Sequence, residues 1–247
     1  MRLAGKTAIV TGGASGFGAG IARKLAAEGA RVVVVDINGD GAADLAAELG
    51  GGAFGKACDV ADGDSVARLA EAVAAQMGAP DIIVNNAGIT HMPAPLEDVS
   101  EADFDRVFAV NCKSVYLMAR AFVTGMKARG GAILNVASTA GISPRPNLNW
   151  YNASKGWMVT ATKTMAVELA PSGVRVNAIC PVAGETPLLA SFMGEDTPEM
   201  RAKFLSTIPL GRFSTPEDMG NAAAFLCSDE AGMITGVAME VDGGRCI

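Results

Sequence analysis

The chain has 247 residues, of which 50% are apolar, and its 20 basic and 26 acidic residues give a formal net charge of −6. Glycine or charged residues break its apolar runs well before the ~18 residues that a membrane span needs. No basic stripe is present that could neutralise the phosphates of a nucleic acid, and no N-terminal targeting pattern precedes the first predicted strand. We therefore expect a cytoplasmic protein that binds neither membranes nor nucleic acids.

The cysteine and histidine content predicts no metal site. His91 is the one histidine, and the chain has no Cys-x-x-Cys pair that a zinc site could combine with it. We expect reduced thiols that are mostly buried as small apolar side chains. The five cysteines are Cys58, Cys112, Cys180, Cys227 and Cys246.

A strand, a glycine-rich turn and an alanine-rich helix follow one another at the N-terminus. The strand is predicted at 7–11, and the turn has the sequence Thr-Gly-Gly-Ala-Ser-Gly-Phe-Gly over residues 11–18. Gly12, Gly16 and Gly18 would let the backbone approach a pyrophosphate, whose charge would be met by amides at the helix N-terminus. Because 30 glycines are scattered through the chain, the position directly after a strand is what makes this turn informative.

The second predicted strand, 31–36, ends in Asp36, which lies 18 residues after Gly18. A carboxylate roughly 20 residues after the glycine-rich turn holds the adenosine ribose hydroxyls in dinucleotide-binding folds. Such a carboxylate would repel the 2′-phosphate of NADP, and neither Ile37-Asn38 nor the glycine-rich turn supplies a compensating cation. The sequence therefore predicts NAD as the cofactor, the alternative being that Asp36 is simply a solvated carboxylate at a strand end.

Strands and helices alternate along the whole chain, which predicts an α/β fold. We expect a single-domain Rossmann fold over residues 1–247, with a doubly wound parallel sheet of seven strands. Ligands of such sheets bind at the carboxyl ends of the strands, where Gly12, Asp36, Asp59, Asn86, Ser138 and Pro181 fall. The predicted strands are 7–11, 31–36, 53–58, 81–85, 131–137, 174–180 and 237–241.

Tyr151 and Lys155 are four residues apart, a spacing that places a phenol and an ammonium on one face of a helix. To act as a general base near pH ~7, a tyrosine must lower its pKa by about three, which corresponds to roughly 4 kcal/mol. One nearby cation supplies about one to three of these pKa units, and an oxidised nicotinamide ring would complete the shift. Because many helices bring tyrosine and lysine together by chance, the pair is informative only alongside the predicted nucleotide site.

Several further segments make the chain resemble the short-chain dehydrogenase/reductase family along nearly all of its 247 residues. The glycine-rich turn resembles the family's cofactor loop, and Asn85-Asn86-Ala87-Gly88 resembles the segment after its fourth strand. Later landmarks are Arg175-Val176-Asn177, Pro181 with Thr186, and Val241-Asp242-Gly243-Gly244. The resemblance implies the residues that contact NAD, namely Gly12, Ser15, Gly16, Phe17, Gly18, Asp36, Ile37, Asp59, Val60, Asn86, Ala87, Gly88, Tyr151, Lys155, Pro181, Gly184 and Thr186.

The same resemblance implies a catalytic tetrad of Asn111, Ser138, Tyr151 and Lys155. Tyr151 would accept the proton of a substrate hydroxyl while a hydride leaves the same carbon for the nicotinamide, and Ser138 would hydrogen-bond the reacting oxygen. Lys155 would lower the pKa of Tyr151 and bind the nicotinamide ribose. Asn111 would order water that connects Lys155 to solvent.

One segment departs from the family pattern. Glycine usually follows the proline aligned with Pro181, whereas here the segment is Pro181-Val182-Ala183-Gly184-Glu185-Thr186. Val182 adds a β-branched side chain and Gly184 replaces the usual apolar residue. The resemblance therefore does not define the backbone path of this segment.

The expected substrate is a small molecule, a secondary alcohol or a polyol or sugar hydroxyl that is converted to the corresponding ketone. A lid with an apolar underside is predicted near 182–209, although methionine and phenylalanine at such spacing are also typical of an ordinary core. Trp150 could equally pack beneath the catalytic helix. The residues predicted to line the substrate pocket are His91, Ile142, Asn149, Trp150, Val182, Leu189 and Phe192.

Two alternative functions remain open at this point. One is reduction of a 3-oxoacyl thioester of acyl-carrier protein or coenzyme A. The segment 89–93 argues against it, because it lacks the arginine often seen there in acyl-carrier reductases. The other is a nucleotide-binding scaffold without turnover, against which Ser138, Tyr151 and Lys155 are all present.

The resemblance also implies a homotetramer. Helices near 101–128 and 151–171 would form one contact, and the C-terminal segment would form another. The apolar strand 237–241 supports this expectation indirectly.

Overall fold

The computed structural model describes all 247 residues, Met1–Ile247, and its centre is one seven-stranded sheet. The strands lie in the order β3-β2-β1-β4-β5-β6-β7, and all neighbours are parallel. Their bounds are β1 Thr7–Thr11, β2 Arg31–Asp36, β3 Phe54–Ala57, β4 Ile82–Asn85, β5 Gly131–Val136, β6 Val174–Pro181 and β7 Ala238–Val241. The predicted Rossmann-type fold is therefore confirmed, and the predicted strand bounds differ from these by one residue at most.

Helices cover both faces of the sheet. They are α1 Gly16–Ala27, α2 Gly39–Leu49, α3 Gly63–Met77, α4 Glu101–Phe108, α5 Ser114–Lys127, α6 Asn149–Leu169, α7 Leu189–Met193, α8 Pro198–Leu205 and α9 Pro216–Cys227. A π-helical turn at Ala109–Lys113 joins α4 to α5. None of the helices combines the length and the apolar character that crossing a bilayer requires.

The two faces of the sheet belong to two separate cores. Val32 and Val34 pack in the core that contains α1, α2 and α9, whereas Val33 and Val35 pack in the core that contains α3, α5 and α6. Successive side chains of a strand point to opposite faces, so a strand buried on both sides must be apolar throughout. This requirement explains why Val32-Val33-Val34-Val35 could be recognised as a central strand from the sequence alone.

A buried polar chain attaches helix α6 to the sheet. Asn85 at the end of β4 donates a hydrogen bond from Nδ2 to Asn135 Oδ1 in β5 over 2.8 Å. Asn135 Nδ2 in turn donates to Thr162 Oγ1 in α6, also over 2.8 Å. Because buried polar groups must be paired to be stable, these hydrogen bonds specify one position for α6 against the strands.

The segment predicted as a lid forms two short helices, α7 and α8, above the carboxyl end of β6. It has a small core of its own, in which Leu189 and Met193 pack with Ile208 and Phe213, and it also buries Val182. The expected apolar underside is therefore present, while the opening and closing of this segment stays a prediction.

Candidate active site

The carboxyl ends of the strands border a cleft of about 440 Å³. The strand order reverses between β1 and β4, and ligands of open parallel sheets bind in the crevice that such a reversal creates. All seventeen residues expected to contact NAD line this cleft, from Asp36 and Asp59 at one end to Tyr151 and Lys155 at the other. The sequence therefore predicted which residues surround the cleft, and contact of these residues with NAD stays a prediction.

The glycine-rich turn at the cleft is tightly held. Gly12 and Gly16 have φ angles of 60° and 52°, in the left-handed region that glycine adopts readily. A Cβ at Gly18 would lie 2.0 Å from the carbonyl oxygen of Gly12, so only glycine fits there. Asn86 Nδ2 donates to the carbonyl oxygens of both Thr11 and Gly12, each over 2.9 Å. The turn thus presents bare backbone at the N-terminus of α1, as a bound pyrophosphate requires.

Asp36 lies at the end of β2 with its carboxylate fixed by the backbone. Its Oδ2 accepts a hydrogen bond from the amide of Ala14 over 3.0 Å, and its Oδ1 accepts one from the amide of Asn38 over 3.0 Å. Asp59 adds a second carboxylate to this end of the cleft, and no lysine or arginine lines it there. The geometry suits hydrogen bonds to ribose hydroxyls and disfavours an additional phosphate.

Ser138, Tyr151 and Lys155 converge at the other end of the cleft, and all three are buried. Ser138 follows β5, where its Oγ accepts a hydrogen bond from the amide of Ala140 over 3.0 Å. Tyr151 and Lys155 lie one turn apart on α6, with Lys155 Nζ 5.9 Å from the centroid of the Tyr151 ring. Lys155 Nζ also donates to the carbonyl oxygen of Val136 over 2.9 Å. The ammonium thus faces the strand end as well as the phenol.

Burial controls the pKa of both groups on α6. It raises the pKa of Tyr151 to about 12, outweighing a hydrogen bond from Ser138 that acts in the opposite direction. It lowers the pKa of Lys155 to about 8. Desolvation disfavours the charged form of both side chains, and in the protein alone it outweighs the positive charge of Arg145, which acts to lower the Tyr151 pKa. A positive charge bound in the cleft would be needed to bring the Tyr151 pKa down.

Asn111 lies behind the cleft, within the π-helical turn, and is fully buried. Its Oδ1 accepts a hydrogen bond from the amide of Ile89, and its Nδ2 donates to the Ile89 carbonyl oxygen and to Ser154 Oγ, each over 2.9 Å. A Cβ at Gly88 would lie 3.2 Å from Lys155 Nζ and 3.4 Å from Asn111 Oδ1, so Gly88 separates these two side chains. Asn111 therefore supports the wall of the site next to Lys155.

The structure explains why the segment 181–186, after β6, departs from the family pattern. Gly184 pairs with Ser214 as an isolated parallel bridge, and a Cβ at Gly184 would lie 2.2 Å from Cζ of the Phe17 ring. The aromatic ring at position 17 occupies the space that a side chain at position 184 would need. Val182 points into the lid core while still lining the cleft. Phe17 and Gly184 are thus complementary to each other.

Only two of the seven predicted pocket residues, Val182 and Phe192, line the cleft. His91 is buried with Nδ1 2.8 Å from the Met92 carbonyl oxygen, and Trp150 donates from Nε1 to the Leu96 carbonyl oxygen over 3.2 Å. Of the three others, Ile142 and Asn149 are exposed on the surface, and Leu189 is buried in the lid core. These five residues therefore do not line the cleft, because the loop and lid paths decide which neighbours face it, and substrate contact at Val182 and Phe192 stays a prediction.

Five residues outside the predicted pocket set line the cleft, and two of them, Pro187 and Leu188, belong to the segment predicted as a lid. The other three are Arg145, Ile89 and Val110. We call the end of the cleft at Tyr151 the substrate end. The one sequence signal for Arg145 was a charged residue between two prolines shortly before the catalytic helix, in Ser143-Pro144-Arg145-Pro146.

Known proteins resemble this chain over nearly its whole length. A family model described as enoyl-(acyl carrier protein) reductase matches residues 12–245. The 4-formylbenzenesulfonate dehydrogenase of Comamonas testosteroni is 52% identical, with 100% of both chains covered. The D-threitol dehydrogenase of Mycolicibacterium smegmatis is 46% identical, with 100% of this chain and 95% of the relative covered.

The solved structures add a close match in three dimensions. A crystal structure of 3-ketoacyl-(acyl-carrier-protein) reductase from Brucella melitensis, complexed with NADH, superposes with a TM-score of 0.94 at 49% identity. The match covers 99% of this chain and 100% of that chain. Family model, relatives and structure all extend over nearly the whole sequence, and the chain belongs to the short-chain dehydrogenase/reductase family.

Proposed function

We propose that the chain is an NAD-preferring dehydrogenase that interconverts a secondary alcohol, including a polyol or sugar hydroxyl, and the corresponding ketone. The observation that carries this proposal is a single cleft that both ends of the site share. The glycine-rich turn and Asp36 lie at one end, and the buried Ser138, Tyr151 and Lys155 lie at the other. The dehydrogenase names of the Comamonas and Mycolicibacterium relatives, and the NADH in the Brucella structure, support the same class of reaction.

The cleft residues fit a nicotinamide cofactor, which when bound supplies the hydride acceptor. Ser138 Oγ accepts a hydrogen bond from the amide of Ala140, and its hydroxyl hydrogen, which faces Tyr151 in the protein alone, would turn to the reacting oxygen of the substrate. Tyr151 accepts the proton of the substrate hydroxyl, and Lys155 holds the nicotinamide ribose. Lys155 Nζ and Asn111 Oδ1 both lie close to Gly88, which supports the proposal that water ordered by Asn111 connects Lys155 to solvent for proton release. The protein contributes positioning and proton transfer in this scheme.

The experiment that tests the function follows the absorbance of reduced nicotinamide. Purified protein is incubated with NAD and a panel of secondary alcohols and polyols, and in the reverse direction with NADH and ketones. Turnover of at least one alcohol is expected. NAD binding without turnover across the whole panel would instead favour the non-catalytic scaffold.

Reduction of a 3-oxoacyl thioester is a second candidate, because the Brucella structure bears the name of a 3-ketoacyl-(acyl-carrier-protein) reductase. The two candidates share the site and the chemistry, so they differ only in which substrate is used efficiently. Acetoacetyl-coenzyme A belongs in the same panel for this reason. A kcat/KM for this thioester above that of every ketone tested would favour the second candidate.

NAD is expected to be used at least about 10-fold more efficiently than NADP, because a 2′-phosphate beside Asp36 and Asp59 would place like charges together. The double substitution Asp36→Ala with Ile37→Arg should shift the preference toward NADP. Asp40→Ala removes an exposed carboxylate outside the cleft and is the matched control. The measurement is kcat/KM for both cofactors, and equal or better use of NADP by the unsubstituted protein would refute the assignment.

We also propose a homotetramer. Tyr116 on α5 and Trp157 and Val167 on α6 leave large apolar side chains exposed, on the two helices expected to form one of the contacts. Light scattering at micromolar concentration is expected to give four times the chain mass of 25.1 kDa. A monomeric mass would contradict the tetramer and leave the proposed chemistry untouched.

A further inference from the structure

Arg145 is a cation at the substrate end of the cleft that the reaction scheme does not use. It lies between β5 and α6 and is flanked by Pro144 and Pro146, which restrict the backbone of the loop. Its carbonyl oxygen accepts a hydrogen bond from Asn152 Nδ2 on α6 over 2.7 Å. Its guanidinium carbon lies 4.8 Å from the centroid of the Phe204 ring on α8. The backbone of Arg145 is thus tied to the catalytic helix, and its side chain packs against the lid.

The Arg145 guanidinium has no acidic partner in the protein. The neighbouring lid arginine, Arg201, is paired with Asp196, and Arg212 is paired with Asp218, whereas Arg145 forms no ion pair. Burial lowers the pKa of Arg145, and the charge of Arg245 lowers it further. A guanidinium that is partly removed from water without a counter-charge is unfavourable, and a bound anion would offset that cost.

Charged side chains are segregated along the cleft. Asp36 and Asp59 are the only carboxylates that line it, and both lie at the end where β2 and β3 finish. The substrate end has the cations Arg145 and Lys155, and Lys155 is already engaged with the Val136 carbonyl oxygen. An anion entering the substrate end therefore meets a free guanidinium and no carboxylate that would repel it.

We infer that Arg145 binds the carboxylate or sulfonate of an anionic substrate, so that the preferred substrate is an alcohol bearing such a group rather than a neutral polyol. The planar guanidinium matches two oxygens of either anion in a bidentate arrangement. Val182, Leu188 and Phe192 line the same end and favour a hydrocarbon spacer between the hydroxyl and the anion. This inference rests on the proposed dehydrogenase function, because it concerns which alcohol that function takes.

A matched pair of substrates isolates the effect of the substrate's negative charge. The acid 4-(1-hydroxyethyl)benzoate and the amide 4-(1-hydroxyethyl)benzamide have nearly the same shape, so the ratio of their kcat/KM values reports on the anion. The protein is expected to prefer the acid by about 10- to 100-fold, the effect of one hydrogen-bonded charge. Arg145→Met should abolish this preference mainly by raising KM for the acid, and Arg145→Lys should retain part of it.

Arg201→Met is the matched control, because it removes a lid guanidinium that is paired with Asp196 and does not line the cleft. It should leave the acid-to-amide ratio unchanged. NAD affinity and thermal unfolding of Arg145→Met should match those of the unsubstituted protein. Equal use of acid and amide by the unsubstituted protein, or an unchanged ratio in Arg145→Met, would overturn the inference while the dehydrogenase function stands.

A binding measurement distinguishes failure of the anion site from failure of the proposed dehydrogenase function. Calorimetric titration of the NAD-loaded protein with benzoate needs no turnover, and binding that is lost in Arg145→Met supports the anion site. If no alcohol of either charge is oxidised, the dehydrogenase function fails, and this titration alone decides the anion site. Absence of benzoate binding to the unsubstituted protein, or equal binding to Arg145→Met, would then overturn it.

Discussion

Tyr151→Phe is expected to lower turnover by roughly 10²–10⁴-fold, the contribution typical of a general base, with little change in NAD affinity. The substitution keeps the ring, whose centroid lies 5.1 Å from that of Phe192 in an edge-on contact, and removes only the hydroxyl that accepts the proton. Packing is therefore preserved while the proton path is lost. Steady-state kinetics gives the turnover, and calorimetry with NAD gives the affinity.

The protein offers a natural control for this substitution. Tyr116 is the only other tyrosine, and it is exposed on α5 with its hydroxyl accepting a hydrogen bond from Arg120 Nη1 over 3.3 Å. Tyr116→Phe should leave turnover unchanged. If Tyr151→Phe retained most of the activity toward an alcohol that the unsubstituted protein oxidises, Tyr151 would not be the proton acceptor.

Lys155→Met is expected to reduce both turnover and NAD affinity, in contrast to Tyr151→Phe. The methionine fills a similar volume, yet it removes the buried ammonium that donates to the Val136 carbonyl oxygen and is proposed to hold the ribose. Losing one charge-assisted hydrogen bond corresponds to about a 10- to 100-fold weaker affinity. Turnover should fall by at least as much, because Lys155 is also proposed to lie on the proton path beside Tyr151.

Lys163→Met is the matched control on the same helix, since Lys163 is exposed and lies outside the cleft. It should change neither turnover nor affinity. The same two measurements, steady-state kinetics and NAD calorimetry, apply to both variants. Unaltered NAD affinity in Lys155→Met would show that Lys155 does not hold the cofactor, and would restrict its role to the proton path.

The sequence predicted the sheet, and many of the residues that line the cleft, for physical reasons. Strands buried on both faces must be apolar throughout, so runs such as Val32-Val33-Val34-Val35 were unambiguous. Parallel strands bring their carboxyl ends to one edge, so residues that follow strand ends, such as Asp36, had to face a common cleft. The spacing of Tyr151 and Lys155 likewise needed only a helix to place both side chains on one face.

The substrate end could not be predicted in the same way. Arg145 and Leu188 enter the cleft because the loop before α6 and the lid take particular paths, which no local periodicity encodes. His91 looked suitable as the one histidine, yet its ring is buried behind the cleft. The direction of the Tyr151 pKa shift was also out of reach, because it depends on how completely the folded chain removes the phenol from water.

The rate of alcohol oxidation is expected to rise with pH and then level off. In the proposed mechanism, oxidation requires the phenolate of Tyr151, which is populated only above its pKa, and burial raises that pKa to about 12 in the protein alone. A bound nicotinamide cation would stabilise the phenolate and move the rise to lower pH. Lys155 remains largely protonated at neutral pH, since its pKa is lowered only to about 8.

The protonation state of Tyr151 with and without NAD tests its proposed role most directly. In protein labelled with [ζ-¹³C]tyrosine, Tyr116 and Tyr151 give the only two resonances, and Tyr116→Phe assigns them. We expect Tyr151 to titrate well above the ~10 of free tyrosine in the protein alone, and at much lower pH with NAD bound, with the same midpoint as alcohol oxidation. A Tyr151 midpoint that NAD leaves unchanged, in protein that oxidises alcohols, would contradict its role as the base.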